Sequence, residues 1–258
     1  MATFKHISSK NANYGDAEKY LTFAHDEFTM KPTLDTDGRL VPREDYRIST
    51  LNCGEEDFAV ACMRSNLRYG KNQKREDVKS HHYIISFDPR DGPDNRLTVD
   101  KAQELGERFC REQFPGHQAI VCTHPDGHNQ SGNIHVHIVI NSLRIENVLL
   151  PYMDRPADTK AGCKHRCTDA AMEYFKSEIM ELCHEAGLYQ IDLLNGSANR
   201  VMRIIFVPSW SKSSGYPAKP RSVDIRSGWH RLKSGWESLT VCLSAFMRPM
   251  WLSASQMK

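Results

Sequence analysis

The chain lacks the features that mark membrane and secreted proteins. Its 258 residues contain no apolar run approaching the roughly 18 residues that a membrane-spanning helix needs. The opening MATFKHISSK lacks the apolar centre of a secretory signal. Eight cysteines are too sparse in a chain of this length for a disulfide scaffold, so we expect reduced thiols. These absences predict a cytoplasmic protein without membrane insertion.

The last part of the chain contains few acidic residues, and its apolar residues do not follow the spacing of a helical face. Residues 202–258 hold nine basic side chains against two acidic ones and contain all four tryptophans. This change of composition predicts a folded domain over residues 1–195 and a basic, poorly ordered tail over residues 196–258. Translation through an interrupted reading frame would produce such a tail. A basic tail that evolved to bind the phosphates of DNA is the alternative.

Apolar spacing predicts four helices in the first domain. Apolar residues that recur every three or four positions indicate one helix over residues 16–28 and another over residues 55–69. Thr98 and Thr168 stand where helix N-caps are expected. Gly187 stands where a left-handed residue would end the last helix.

Between these helices, β-branched and aromatic runs predict strands over residues 4–7, 83–87, 119–123 and 134–140. We interpret residues 29–52 and 145–167 as long loops or small elements. Strands that alternate with helices predict an α/β or α+β layer fold.

The most informative segment is CTHPDGHNQSGNIHVHIVINS, residues 122–142. Side chains alternate along a strand, so His135 and His137 lie on one face about 7 Å apart. The preceding strand ends at His124, and a loop rich in Gly, Asp and Asn follows it. If the two strands pair as a hairpin, His124 lies opposite His135 and three imidazoles converge. Neutral imidazole binds divalent transition metals, so the segment predicts a metal site with open coordination positions.

Two further observations bear on this metal site. Asp126 is near enough in sequence to act as a carboxylate that orients a histidine ligand. A competing zinc site is offered by Cys163, His165 and Cys167, with Cys183 and His184 further on, although their spacing lacks the paired C-x-x-C pattern of zinc knuckles. A single histidine in a strand is more often a surface or core residue, so the hypothesis depends on all three imidazoles.

The histidine segment resembles a motif of HUH endonucleases, specifically of mobilisation relaxases of the MOBP kind. The resemblance rests on His124-Pro-Asp126, followed by His135-Val-His137 and by Asn141-Ser.

Two more motifs occur in the order that this family has. The opening run HISSKNANYGDAEKYLTF resembles the first relaxase motif, in which a tyrosine followed by leucine lies in an early helix. The run SHHYIISFDPRD, residues 80–91, resembles the second motif, a strand that ends in Ser-Phe. The resemblance covers about residues 1–200.

The resemblance implies an α+β palm whose central sheet is five-stranded, mainly antiparallel and flanked by helices. It also implies strand-specific nicking and rejoining of DNA at an origin of transfer, which initiates mobilisation of a plasmid or integrative element. The nucleophile would be Tyr20, which would form a 5′-phosphotyrosine intermediate and leave a free 3′-hydroxyl. On the residues alone, Tyr14 and Tyr20 are equal candidates.

The family also implies a cofactor and partners. A divalent ion, magnesium or manganese, would be bound by His124, His135 and His137. Asp126 would orient a ligand or take the tyrosine proton. The expected partners are single-stranded origin DNA, an accessory mobilisation protein and a coupling protein.

Three more polar residues, His82, Ser86 and Asn141, are expected to support the metal site or contact DNA, although surface or core roles fit them equally. Rolling-circle initiators and single-strand transposases share the same chemistry, but their histidine motif generally precedes the tyrosine, whereas Tyr20 comes first here. The non-enzymatic alternatives are an inactive DNA-binding remnant and a metal-binding module without DNA. Covalent trapping of DNA would exclude both.

Overall fold

A computed structural model of the chain describes residues 3–26, 29, 31–125, 132–190 and 192–194. All of them belong to the first of the two units into which the chain divides, Met1–Ile205. The second unit, Phe206–Lys258, and the predicted tail over residues 196–258 lie outside the described residues.

The elements in chain order are β1 (Thr3–Ser9), α1 (Gly15–Thr22), β2 (Arg47–Leu51), α2 (Phe58–Tyr69), β3 (Ser80–Ser86), α3 (Asp91–Asn95), α4 (Val99–Gln113), β4 (Ala119–His124), β5 (His135–Asn141), a 3-10 turn (Pro156–Thr159) and α5 (Asp169–Glu185). In the described part of the chain, no helix combines the length and the apolar character that a bilayer crossing needs.

Five strands form one sheet in the order β1-β3-β5-β4-β2, with every neighbouring pair antiparallel. The predicted α+β fold with an antiparallel five-stranded sheet and flanking helices is therefore confirmed. The strand β2 lies inside the segment that we interpreted as loops or small elements. It is only five residues long, and it pairs with β4 along its whole length, so a distant partner rather than a strong local pattern defines it.

The two long helices after β3 begin as the sequence predicts. The Thr98 side chain accepts a hydrogen bond from the backbone N–H of Lys101, and Thr168 accepts one from Ala171. Gly187 adopts a φ of 68°, the left-handed conformation expected after α5.

The first helix is shorter than predicted. It ends at Thr22, because Phe23 is extended and forms a bridge with Pro42. The next residue, Ala24, donates its backbone N–H to the carbonyl of Val41 at 2.8 Å. The expected continuation of the helix through Ala24 is therefore wrong, since pairing with a distant segment replaces the next helical turn.

The sheet has a core face and a site face. The core face packs against α4 and α5 and contributes Val136, Ile138 and Ile140 to the main hydrophobic cluster. The site face carries the alternate residues of β5, including His135 and His137.

The covering helix α4 approaches β5 closely. A Cβ at Gly106 would clash with the Val136 side chain, so only glycine allows this contact. On the other side of the sheet, α1 and α2 pack on the site face through a smaller hydrophobic cluster, which contains Leu21, Phe58, Ile120 and Val139. The strands β4 and β5, which carry the three histidines, thus lie in the middle layer and are fixed from both sides.

Candidate active site

Three histidines converge on the site face, and we call His124, His135 and His137 the site cluster. His124 is the register partner of His135, which confirms the predicted hairpin pairing. The ligand atoms of all three side chains lie within 4.8 Å of one another. Among the described residues, no other group of three or more His, Cys, Asp or Glu side chains is arranged to hold a metal ion.

The spacing of the nitrogens suits a single ion. The Nδ1 atom of His124 and the Nε2 atom of His135 are 3.3 Å apart. Two imidazole nitrogens that bind one ion at about 2.1 Å are separated by roughly 3.0 to 3.4 Å, depending on the angle between the bonds. The donor set therefore fits a divalent ion and leaves coordination positions for substrate oxygens.

Backbone carbonyls orient two of the rings. His124 donates from Nε2 to the Leu21 carbonyl at 2.8 Å, and His135 donates from Nδ1 to the Asn133 carbonyl at 3.3 Å. Because a carbonyl oxygen only accepts, the proton of each neutral ring sits on the nitrogen that faces the carbonyl. The nitrogens that face each other across the cluster are then the acceptor nitrogens, the form that binds a cation.

The third ring is buried and held by a fourth histidine. His137 is 4% exposed, and burial lowers its pKa well below the usual range, with a further contribution from nearby His82. The Nε2 atom of His82 lies 2.8 Å from the Nδ1 atom of His137. His137 is therefore neutral, and His82, one of the residues expected to support the site, contacts a candidate ligand directly.

Tyr20 lies beside this cluster. Its ring centroid is 6.0 Å from that of His137, 6.1 Å from that of His82 and 5.0 Å from that of His25. Burial raises the pKa of Tyr20, and the positive charge of Arg43 opposes this effect. The hydroxyl group of Tyr20 is therefore protonated in the resting protein and has a cation within electrostatic reach.

The other candidate nucleophile, Tyr14, has a different environment. Its side chain is 4% exposed, and its hydroxyl donates to the Lys79 carbonyl at 3.0 Å and accepts from Asn66 Nδ2 at 2.8 Å. Burial raises the pKa of Tyr14 strongly. Such a hydroxyl holds core elements together, whereas the Tyr20 ring lies beside the site cluster.

The remaining sequence candidates separate in space. Ser86 is half-buried on the site face, and its register partner in β5 is His135. Asn141 is fully buried and donates to Gln118 Oε1 at 2.9 Å, so it contributes to the core rather than to a surface that meets DNA. Asp126 lies outside the described residues.

The alternative zinc ligands do not assemble. The Nε2 atom of His165 is 2.7 Å from the Tyr83 hydroxyl, inside the main hydrophobic cluster. Cys163 and Cys167 flank it in sequence, but the three side chains are not among the described groups whose ligand atoms converge.

A second group of histidines was not predicted from the sequence. We call His6, His81, His117 and His165 the second cluster. His6 Nε2 is 2.9 Å from His81 Nδ1, and the His165 ring lies 4.8 Å from that of His81 and 5.4 Å from that of His117. These residues come from four separate segments, so no local pattern indicates them.

Arg43 is the functional candidate that the sequence did not indicate. Its backbone N–H donates to the Thr22 carbonyl at 2.9 Å, directly after the helix that carries Tyr20. Its charge acts on both Tyr20 and His137. Only the pairing of residues 41–43 with the end of α1 brings it there, and that pairing has no local sequence signal.

The chain is similar to known proteins in sequence. The sequence model of the MobA/VirD2-like relaxase nuclease domain matches residues 41–188, which include the site cluster and begin after Tyr20. A protein of Staphylococcus aureus called Protein rlx is 28% identical over 140 residues, which are 54% of this chain and 36% of that protein. Another Protein rlx of Staphylococcus aureus is 34% identical over 99 residues, 38% of this chain and 26% of that protein. The matches thus span about a third or less of the relatives' length.

A similarity is also present at the level of structure. A solved structure from work on the molecular basis of vancomycin resistance transfer in Staphylococcus aureus aligns with 72% of this chain and 92% of that one. The sequence identity is 14% and the TM-score is 0.43.

Proposed function

We propose, because the chain belongs to the MobA/VirD2-like relaxase family through its nuclease domain, that it nicks and rejoins one DNA strand at an origin of transfer. This reaction would start the mobilisation of a plasmid or an integrative element. The observation that carries the proposal is the Tyr20 ring beside His137 and His82, next to a site cluster whose nitrogens suit a metal ion.

The reaction is a transesterification by Tyr20. Its phenolic oxygen attacks the phosphorus of one phosphodiester, the bond from phosphorus to the 3′ oxygen breaks, and a 5′-phosphotyrosine forms. The tyrosine proton leaves to a base, and the departing 3′ oxygen takes up a proton to become a hydroxyl. Because one ester replaces another, no nucleotide cofactor is needed, and attack by the 3′-hydroxyl reverses the step to rejoin the strand.

The site cluster would hold a divalent ion. Such an ion, when bound, polarises the non-bridging phosphate oxygens and stabilises the charge that develops on them. The donor set here is three neutral imidazoles, oriented by Leu21, Asn133 and His82. Of magnesium and manganese, manganese matches this donor set better, since magnesium prefers oxygen ligands.

Deprotonation of Tyr20 needs help. Because burial raises the pKa of Tyr20, its hydroxyl would need a base or a nearby cation to lose its proton near neutral pH. Arg43 stabilises the developing phenolate by its charge. Asp126, which follows His124 in the histidine motif, is proposed to orient a ligand or accept the proton.

The biological partners follow from the proposed reaction. An accessory mobilisation protein would help this domain to bind the origin, because residues 1–201 hold 25 basic against 30 acidic side chains and lack a favourable overall field. A coupling protein would receive the complex of protein and strand.

Covalent trapping tests the proposal. The full chain is incubated with manganese and single-stranded oligonucleotides tiled across the origin of its element, and a protein-linked fragment is sought on a denaturing gel. Tyr20→Phe is expected to abolish the adduct while leaving the fold intact, since only a hydroxyl is lost.

The matched control is Tyr189→Phe, which removes a hydroxyl that bonds to Asp94 on the surface. This variant is expected to form the adduct normally. An adduct that persists in Tyr20→Phe and disappears in Tyr14→Phe would contradict the choice of nucleophile. Binding of origin DNA without any adduct would instead indicate a non-catalytic DNA-binding protein.

A further inference from the structure

The site face of the sheet is covered on one half and exposed on the other. On β4 and β5, its residues Ile120, Cys122 and Val139 are buried against Leu21 of α1 and Phe58 of α2. The half formed by β1 and β3 differs, because several of its side chains reach solvent.

We call Lys5, Ile7, Ile84 and Ser86 the open face. Lys5 and Ile7 are exposed, Ile7 to 51%, and Ile84 and Ser86 are half-buried. Residues of β3 that point to the core face are buried, for example Ile85 at 0% exposure. On β3, the more exposed side chains Ile84 and Ser86 therefore belong to the site face, whereas the alternate residues are buried.

The open face is continuous with the site cluster. Lys5 is the register partner of Ile84, and Ile84 is the register partner of His137. In the next rows, Ile7 pairs with His82 and Ser86 pairs with His135. Lys5 is thus two strand spacings from His137, roughly 10 Å, a distance that about three stacked nucleotides of one strand would cover.

We propose that the open face binds the single-stranded DNA next to the scissile phosphate. This inference rests on the proposed function. Ile7 and Ile84 offer apolar surface on which unstacked bases can pack, Ser86 offers a hydroxyl to a phosphate oxygen, and Lys5 offers a cation to the backbone. A surface with an apolar centre, a hydroxyl on one side and a cation at the rim suits a nucleotide strand.

The position of each open-face residue relative to the site cluster predicts which part of the DNA strand it would contact. Ser86, which pairs with His135, would contact the phosphate nearest the metal ligands. The isoleucines would hold a base against the sheet, and this contact would fix the position of the strand relative to Tyr20. Contact of this kind tolerates every base, since each has an apolar face, and so it positions the strand more than it reads sequence.

Affinity measurements test the proposal. Tyr20→Phe in the full chain provides a non-cleaving background, and fluorescence anisotropy measures binding of a labelled single-stranded origin oligonucleotide. Ile7→Glu is expected to weaken binding by about tenfold or more. Lys5→Glu is expected to weaken it less and to lower the slope of log affinity against log salt by about 0.7, as for one lost phosphate contact.

Matched controls keep the result interpretable. Leu67→Glu places the same charge on an apolar residue of α2 that is 72% exposed, and Lys160→Glu reverses an exposed charge elsewhere. Neither is expected to change affinity by more than about twofold. Thermal unfolding and manganese titration of each variant show whether the fold and the site cluster are intact.

A double-mutant cycle adds a positional readout. Single abasic nucleotides are scanned along the oligonucleotide, with wild-type Ile7 and with Ile7→Ala. If Ile7 packs on one base, the loss caused by the abasic nucleotide at that position shrinks in Ile7→Ala, whereas losses at other positions stay the same.

Three outcomes would overturn the inference, and they are distinguishable. Normal DNA affinity in Ile7→Glu and Lys5→Glu, while the wild-type chain forms its adduct, would reject the open face alone. A dimer that Ile7→Glu converts to a monomer without loss of DNA affinity would assign the face to a second copy of the chain. Absence of both binding and adduct in the wild-type chain would reject the proposed function and this inference with it.

Discussion

Two groups of neighbouring histidines lie in the described part of the chain, and their arrangements differ. In the site cluster, the ligand atoms converge within 4.8 Å, and carbonyls on the outside orient His124 and His135. In the second cluster, one nitrogen of each ring faces a protein partner, whereas His81 Nε2, His117 Nε2 and His165 Nδ1 are buried without a hydrogen-bond partner. The Nδ1 atom of His117 bonds to the Asn141 carbonyl at 2.9 Å, and that of His81 faces His6. Convergence of the ligand atoms, rather than the number of histidines, therefore distinguishes the candidate metal site from the second cluster.

The largest expected effect comes from removing the convergent nitrogens. His135→Ala/His137→Ala is expected to abolish manganese binding and to slow adduct formation by about a thousandfold or more, because transition-state charge would lose several kcal/mol of stabilisation. Calorimetry with manganese and single-turnover adduct assays measure the two effects. The matched control in the second cluster, His6→Gln, is expected to leave both unchanged. Equal loss of metal in His6→Gln would remove the distinction between the clusters.

The same comparison explains what the sequence could predict. The site cluster lies within one hairpin, so strand alternation and a turn-forming loop sufficed to place His124 opposite His135. The second cluster joins residues far apart in the chain, such as His6 and His165, and only the completed sheet brings them together. Long-range pairing also explains the missed strand β2 and the missed position of Arg43.

The family motifs and local physics contributed different parts of the result. Helix caps at Thr98 and Thr168 and the left-handed Gly187 follow from side-chain chemistry alone, and the structure confirms them. The five-stranded antiparallel sheet was expected only from the resemblance, and the strand order was not predicted, since antiparallel strands with similar patterns can be arranged in many ways. The choice between Tyr14 and Tyr20 could not come from residue type, because the difference lies in which partners surround each hydroxyl.

The second large effect concerns acid stability and belongs to the second cluster. Burial lowers the pKa of His81 and of His117 to about 3, with added contributions from His6 and Arg144 respectively. The unfolded chain takes up these protons near pH 6.5, but the folded chain does so only near pH 3. These two histidines thus leave the free energy of unfolding unchanged above pH 6.5 and lower it as the pH drops from there towards 3.

Urea unfolding at pH 7.5, 6.5 and 5 measures this effect, with a chelator present so that metal binding does not contribute. Between pH 6.5 and pH 5, each of these two histidines is expected to lower the free energy of unfolding by about 2 kcal/mol. His117→Gln keeps a polar side chain that does not titrate and should reduce the loss by about that amount. A pH dependence identical to that of the wild-type chain would show that His117 does not contribute.

A smaller effect tests whether the core face supports the site cluster. Gly106→Ala puts a methyl group against Val136, which lies between His135 and His137 in β5. Overpacking of this kind costs about 1–3 kcal/mol, and we expect manganese affinity to fall a few-fold as β5 shifts. The control is Gly92→Ala, where a Cβ would meet nothing within 4 Å. Urea unfolding and manganese titration report both quantities, and equal stability of the two variants would contradict the close contact.

The smallest effect separates two adjacent histidines on opposite faces of β3. His82 contacts His137 in the site cluster, whereas His81 contacts His6 in the second cluster. Removing a side chain that orients a metal ligand typically costs 10- to 100-fold in metal affinity, and glutamine preserves part of the hydrogen bonding, so His82→Gln is expected to weaken manganese binding by about tenfold. His81→Gln should leave manganese affinity unchanged and reduce only the loss of stability in acid. If both variants weaken manganese binding equally, the two clusters act as one network through the sheet, and the contrast between them fails.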